Sequence, residues 1–252
     1  MDRVDLNCDM GEGIGTDDEI MPYITSANIA CGFHAGGPAT MRATVASARR
    51  HGVAIGAHPG LPDRANFGRV AMPITPDDAY DMVVYQVAAL EGFVRAEGGD
   101  AAMTHVKPHG ALYNMAAGHA TLADAIARAV RAVNPRLILM GLSGSELIRA
   151  GRDAGLVTAS EVFGDRSYRA DGTLTPRGHS DALITDVASA VQQSVDLVRN
   201  ASIRTTDGND VPVLAETICI HGDGEHAVAF ARAIRNGLAA AGITVAPLAR
   251  HP

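Results

Sequence analysis

Lysine is all but missing from this chain: of its 21 basic residues, only Lys107 is Lys and the rest are Arg. Surface cations usually tolerate either type, so a Lys kept against such a bias points to a site that needs a compact ammonium with a movable pKa. Long apolar runs are missing too. No stretch of eighteen apolar residues occurs, which excludes a helical membrane span. Excess positive charge is absent: the net charge is -7 and the pI about 5.8, against a nucleic-acid or anionic-membrane surface. Cysteine is scarce and odd in number. Cys8, Cys31 and Cys219 lie far apart in apolar, strand-like runs, the pattern of reduced, buried thiols in a cytoplasmic protein. The opening Met1-Asp2-Arg3-Val4-Asp5 is acidic and enters a strand pattern at once, which gives no expectation of a signal peptide.

The 252 residues, 47% of them apolar, are enough for one large core. Short apolar runs alternate with helical patterns, the rhythm of a parallel α/β sheet. Strands are expected at Val4–Cys8, Ala27–Phe33, Val53–Ala57, Met103–Val106, Leu137–Gly141, Ala159–Phe163 and Thr217–Ile220. Helices are expected from Pro38 to His51, from the Thr75-Pro76-Asp77-Asp78 start, and over 120–133, 144–154, 181–199 and 225–241. Seven strands, each feeding a loop and usually a helix, suit a closed or nearly closed barrel in a single domain over 1–252. Residues 201–214, around Asp207-Gly208, read as an inserted hairpin. The loop from Gly164 to Ser180 is long for a compact domain and is expected to act as a lid.

Nearly every expected strand ends in ionisable groups. The first gives Asn7, Asp9 and Glu12, the second Asn28 and His34, and the third His58. The fourth carries His105, Lys107 and His109, the sixth Glu161, Asp165 and Arg166, and the seventh His221 and Asp223. In a parallel barrel the C-terminal strand ends meet on one face, where the βα loops build the site. By strand alternation, Asn28 and His34 share a face, as do His105, Lys107 and His109.

The segments DLNCDMGEG (5–13), SANIACGFHAGG (26–37), GAHPG (56–60), FGR (67–69), HVKPHGALYN (105–114), EVFGDRSY (161–168), DGTLTPR (171–177) and CIHGD (219–223) closely resemble the LamB/YcsF family, in order and over almost the whole chain. Two positions depart from the family pattern: Gly37 stands where an Asp is usual, and Val70 where a second Arg is common. The resemblance implies an α/β fold, a seven-stranded TIM-like (β/α) barrel of the glycoside hydrolase/deacetylase type. It also implies 5-oxoprolinase activity: 5-oxo-L-proline, ATP and water giving L-glutamate, ADP and phosphate, with partner subunits B and C. No G-x-x-x-x-G-K-[ST] loop is present, so ATP rests on the resemblance alone.

A five-membered lactam is an unreactive amide, and phosphorylating its oxygen would make the ring carbon electrophilic. Lys107, Arg166 and Arg177 would supply cations for phosphate and substrate carboxylate. Asp9, Glu12 and Asp165 would hold Mg2+ around phosphate oxygens. His58, His109 and Asp9 compete as base for water. The expected catalytic set is thus Asp9, His58, Lys107 and His109. Asn7, Glu12, Asn28, His34, Glu161, Asp165, Arg166, Arg177, His221 and Asp223 are expected to bind substrate or phosphate. The alternative is a metal-dependent amide hydrolase working without ATP, for which Asp9, His34 and His58 would be ligands.

Overall fold

The computed structural model describes residues 2–98, 102–221 and 227–249. In chain order the elements are β1 (Arg3–Met10), α1 (Asp17–Ile20), β2 (Ser26–Ala30), α2 (Pro38–His51), β3 (Ala54–His58), α3 (Pro76–Ala96), β4 (His105–Val106), α4 (Gly110–Gly118) and α5 (Ala120–Val133). There follow β5 (Ile138–Leu142), α6 (Glu146–Asp153), β6 (Thr158–Phe163), α7 (Val187–Asn200), β7 (Ser202–Arg204), β8 (Asp210–Pro212), β9 (Thr217–Ile220), α8 (Ala227–Ala240) and β10 (Thr244–Val245). Strands β1 to β6 pair in sequence, all parallel, and β9 pairs with both β6 and β1. That closes a seven-stranded α/β barrel, as expected. β10 adds to the start of β1, and β7–β8 is the expected inserted hairpin, antiparallel and outside the barrel.

Most helices form where the sequence announces them, but α1 and α4 are not among those expected, and α7 starts at Val187 rather than at 181. Thr75 and Asp78 complete a capping box before Pro76, and Ala79, Val83, Val87, Leu90 and Val94 bury one face of α3. Gln86 is buried on that face, and its amide spans the backbone of Gly60, accepting from its N–H at 2.9 Å and donating to its carbonyl at 3.0 Å. A helix of the outer layer thus holds the loop that follows β3. Among the described residues, no helix is long and apolar enough to cross a membrane. All three cysteines are buried and unpaired.

The strands divide the core into two unlike zones. Along β1, Val4, Leu6, Cys8 and Met10 belong to the large apolar cluster shared with the helices. The alternate residues Asp5, Asn7 and Asp9 enter hydrogen bonds across the barrel, as period-two alternation requires. The interior is therefore a polar network. Asp5 accepts from the hydroxyls of Thr25 (2.7 Å), Ser26 (2.7 Å) and Thr217 (2.6 Å). Asn7 donates to Thr217 and Glu161, Asn28 donates to Asn7 and Asp9, and His105 donates from Nε2 to Asn28. Gly56 leaves room for the His105 ring, which a side chain at that position would strike.

Candidate active site

At the C-terminal ends of the barrel strands lies a pocket with about 390 Å³ of space unfilled by protein atoms. Asp9, His58, Lys107, His109, Arg166, Arg177 and His221 line it, with Arg69, Tyr113, Asn114 and Phe163. All four residues expected to be catalytic are among them.

Lys107 stands at the pocket floor. Its Nζ donates to Asp9 Oδ1 (3.0 Å), Asn7 Oδ1 (3.2 Å) and Cys219 Sγ (3.0 Å) and pairs with Glu161 Oε1 at 2.9 Å. Burial works against its charge, but Asp9, then Cys219 and Glu161, override this and hold the ammonium well above the usual lysine range. The same contact acts on Asp9. Burial would raise its carboxyl, yet His58 and Lys107 hold it well below the usual range.

On the β1–β4 side, histidines form a wall. His58 Nδ1 donates to the Lys107 carbonyl (2.7 Å), and its Nε2 faces Asp9 Oδ2 (3.2 Å) and His109 Nδ1 (2.9 Å). His109 Nε2 donates to the Phe67 carbonyl at 2.7 Å. His34 stacks flat on His109, centroids 3.7 Å apart and planes 3° from parallel, and reaches Glu12 at 3.3 Å. Burial, reinforced by His58, drives His34 down to about 3 and His109 well below the usual imidazole value. Gly68, at φ +64°, lets its chain pass so close that a Cβ would sit 2.7 Å from His34 Cβ.

On the β6–β9 side, His221 Nδ1 donates to Asp165 at 2.8 Å and Phe163 lies stacked beside its ring. Asp165 also accepts the His221 backbone N–H at 3.2 Å. Burial opposes the charge on Asp165, but His221 and Arg166 keep its carboxyl below the usual 3.8. Arg166 is itself buried, donating to the carbonyls of Ala182 (3.1 Å) and Thr175 (2.6 Å). Burial, then the nearby Arg177, lowers its guanidinium to about 10.

The structure separates the expected binding residues into three groups. Arg166, Arg177 and His221 line the pocket. Asn7, Asn28 and Glu161 do not; they are fully buried beneath it, where their hydrogen bonds fix Lys107 and Asp9. Glu12, His34 and Asp165 stand behind the lining, against His109 and His221. Asp223 lies outside the described residues. The expectation that Asn28 and His34 share a strand face fails, because β2 ends at Ala30 and His34 arrives on the loop. Nor does one strand carry His105, Lys107 and His109, since β4 stops at Val106.

The metal candidates regroup likewise. Glu12, His34, His58 and His109 have ligand atoms within 4.8 Å of one another, as do Asp9, Cys219 and His221. In the second group burial pushes the Cys219 thiol well above its usual 9.0, which disfavours the thiolate a metal needs. Arg69, Tyr113 and Cys219 are not among the residues expected in the site. Arg69 and Tyr113 fall inside the segments FGR and HVKPHGALYN, the only sequence signal they give. The loop 164–180 is anchored: Tyr168 is buried, and its hydroxyl accepts from the Phe163 N–H at 2.7 Å. A lid could comprise only the part beyond it.

Known proteins agree with this architecture. The chain is 59% identical to the A subunit of 5-oxoprolinase from Brevibacillus brevis over 251 residues, 98% of each chain. A crystal structure of a lactam utilization protein from Thermus thermophilus is 43% identical, covering 98% of this chain and all of that one, with TM-score 0.90. A family 4 carbohydrate esterase from Streptomyces lividans, 13% identical at TM-score 0.50 with 98% and 93% coverage, shares the fold alone. The LamB/YcsF family pattern matches residues 4–252, and the chain belongs to that family.

Proposed function

We propose that this chain is the A subunit of a 5-oxoprolinase, opening the lactam ring of 5-oxoproline to glutamate with hydrolysis of ATP. The observation that carries the reading is its near-full-length identity with a protein of that name, joined to a pocket suited to the chemistry. ATP with Mg2+, and partner subunits B and C, belong to the proposal. The relative is named as one subunit among several, which supports a multicomponent enzyme.

The residues divide the work as follows. Arg166 and Arg177, the second close enough to depress the first, receive the substrate carboxylate or phosphate oxygens. Lys107, fixed by four partners, meets the negative charge that develops on the lactam oxygen or the transferred phosphoryl group. Deprotonation of the attacking water falls to His221. With Nδ1–H given to Asp165, its Nε2 keeps a lone pair at the pocket, the arrangement of an oriented base. His109 is poorly placed for that role, with Nε2 bonded to Phe67 and Nδ1 facing His58.

The test is 5-oxoproline-dependent phosphate release, by the chain alone and with its two candidate partners. Turnover is expected in the full complex and little from the chain alone. No 5-oxoproline-dependent release by the complex would overturn the reading. Full turnover by the chain alone would remove the need for partners.

A further inference from the structure

The histidine wall contains a contact that two neutral imidazoles cannot make. Carbonyl oxygens only accept, so His58 Nδ1 and His109 Nε2 must both carry hydrogen, at 2.7 Å from Lys107 O and Phe67 O. In the neutral rings this leaves bare lone pairs on His58 Nε2 and His109 Nδ1. Those two atoms face each other at 2.9 Å. Two acceptors so close repel unless a cation lies between them. The flanking groups are anionic: Asp9 Oδ2 is 3.2 Å from His58 Nε2, and Glu12 Oε1 is 3.6 Å from His109 Nδ1. Around this row stand the carboxylates of Asp9, Glu12 and Glu161 and the ammonium of Lys107, with the guanidinium of Arg69 at the pocket.

We propose that His58 Nε2 and His109 Nδ1, with the carboxylates of Asp9 and Glu12, bind one divalent transition-metal ion in the wall of the pocket. His34 is excluded as a ligand. A ring holds an ion in its own plane, and His34 lies parallel to His109 at 3.7 Å, so one ion cannot lie in both planes. The His58 and His109 rings stand at 85°, and their planes can meet at a common point. His34 instead orients Glu12 from behind, and the two carbonyls fix the ligand tautomers, as outer partners of metal-bound histidines do. An ion about 2.1 Å from both nitrogens would meet them at roughly 90°, which suits octahedral sites better than tetrahedral ones. Two imidazoles with two carboxylates favour Mn2+, Fe2+, Co2+, Ni2+ or Zn2+ over Mg2+, whose preferred ligands are oxygens. The site lies in the pocket of the proposed reaction but does not depend on that reaction.

The experiment uses the purified chain, stripped with chelator and titrated with Co2+, followed by visible absorption, metal analysis and thermal melting. One equivalent of Co2+ per chain is expected, with a visible d–d band, a raised melting midpoint and displacement by Zn2+. His58→Gln and His109→Asn, which keep shape near the ligand atoms, should weaken binding by more than about 100-fold, since even outer partners are worth about 10–100-fold. A wild-type chain with no saturable binding and no shift in melting overturns the proposal and leaves a shared proton between the rings. Undiminished binding by a folded His58→Gln/His109→Asn double variant overturns it equally. Should either variant fail to fold, the wild-type titration still decides. Failure of the 5-oxoprolinase assay would leave this result standing, and the reverse also holds.

Discussion

On the β1–β4 side of the mouth, Glu12, His34, His58 and His109 pack ring on ring and carboxylate on ring, almost without solvent. On the β6–β9 side, Arg166, Arg177 and His221 stand around open space, each with an atom turned to the pocket. The first wall turns its polar atoms on itself and on backbone carbonyls, save His34 Nδ1, which is buried without a hydrogen-bond partner; the second turns atoms to the pocket. Rigid, tightly packed groups suit a fixed charge, whereas groups facing open space suit a ligand that comes and goes. Lys107 stands at the junction of the two, tied to Asp9 on one side and Glu161 on the other.

The largest effect is expected at that junction. Lys107→Ala leaves Asp9 and Glu161 buried without their cation, which should cost about 3–5 kcal/mol and abolish turnover by the full complex. From sequence, Lys107→Arg is expected to fold normally. The structure revises this, because acceptors 2.9–3.2 Å from Nζ on several sides leave no space for a planar fork. Lys107→Arg should therefore lose about 1–3 kcal/mol to overpacking and about 10²-fold or more in turnover. Thermal melting beside phosphate release checks both, and near-native values for either variant would break the junction's central place.

Next comes the open wall. His221→Asn should lower turnover by about 10²–10⁴-fold with the melting midpoint little changed, as for a base rather than a support. Equal loss of activity and stability would make it a structural residue like those of the opposite wall. Asp165 adds a pH arm. Its carboxyl is held below 3.8 in the fold, so its stabilisation is complete above that pH and is lost as pH falls through the lower, folded value. Asp165→Asn should flatten that acid limb in melts taken between about pH 5 and 2.

Smaller effects belong to Arg177 and Tyr168. Arg177, partly exposed, should on change to Ala raise KM for 5-oxoproline or ATP by about 10-fold without altering the melt. Tyr168→Phe removes the acceptor for the buried Phe163 N–H and should cost about 1 kcal/mol. Amide exchange checks the anchor. Phe163 should be protected with or without ligand, and equal protection beyond Arg169 would leave no part of this loop as a lid.

The barrel is legible because its strands are short apolar runs bounded by clear breakers. Thr217–Ile220 matches to the residue, and β4 stops at Val106, shortly before Pro108, which has no N–H to give to a ladder. Periodicity carries no information once a strand ends, so the faces of His34 and His109 are unreadable from sequence. Asn7, Asn28 and Glu161 are recognisable as belonging to the site but not as its foundation. Whether a polar residue at a strand end faces ligand or faces neighbours depends on partners 154 and 210 residues away, as for Asn7 with Glu161 and Thr217. Arg69 and Tyr113 give no signal of their own, for neither sits at the end of a barrel strand.

The burial of the chain's only lysine has a practical consequence for amine chemistry. With Lys107 3% exposed, an amine-acylating reagent meets no accessible lysine side chain on the folded chain. An adduct at Nζ can form only when the barrel mouth opens far enough to release it from Asp9 and Glu161. The appearance of an adduct on Lys107, read by mass, would therefore time the opening of this pocket without any engineered label.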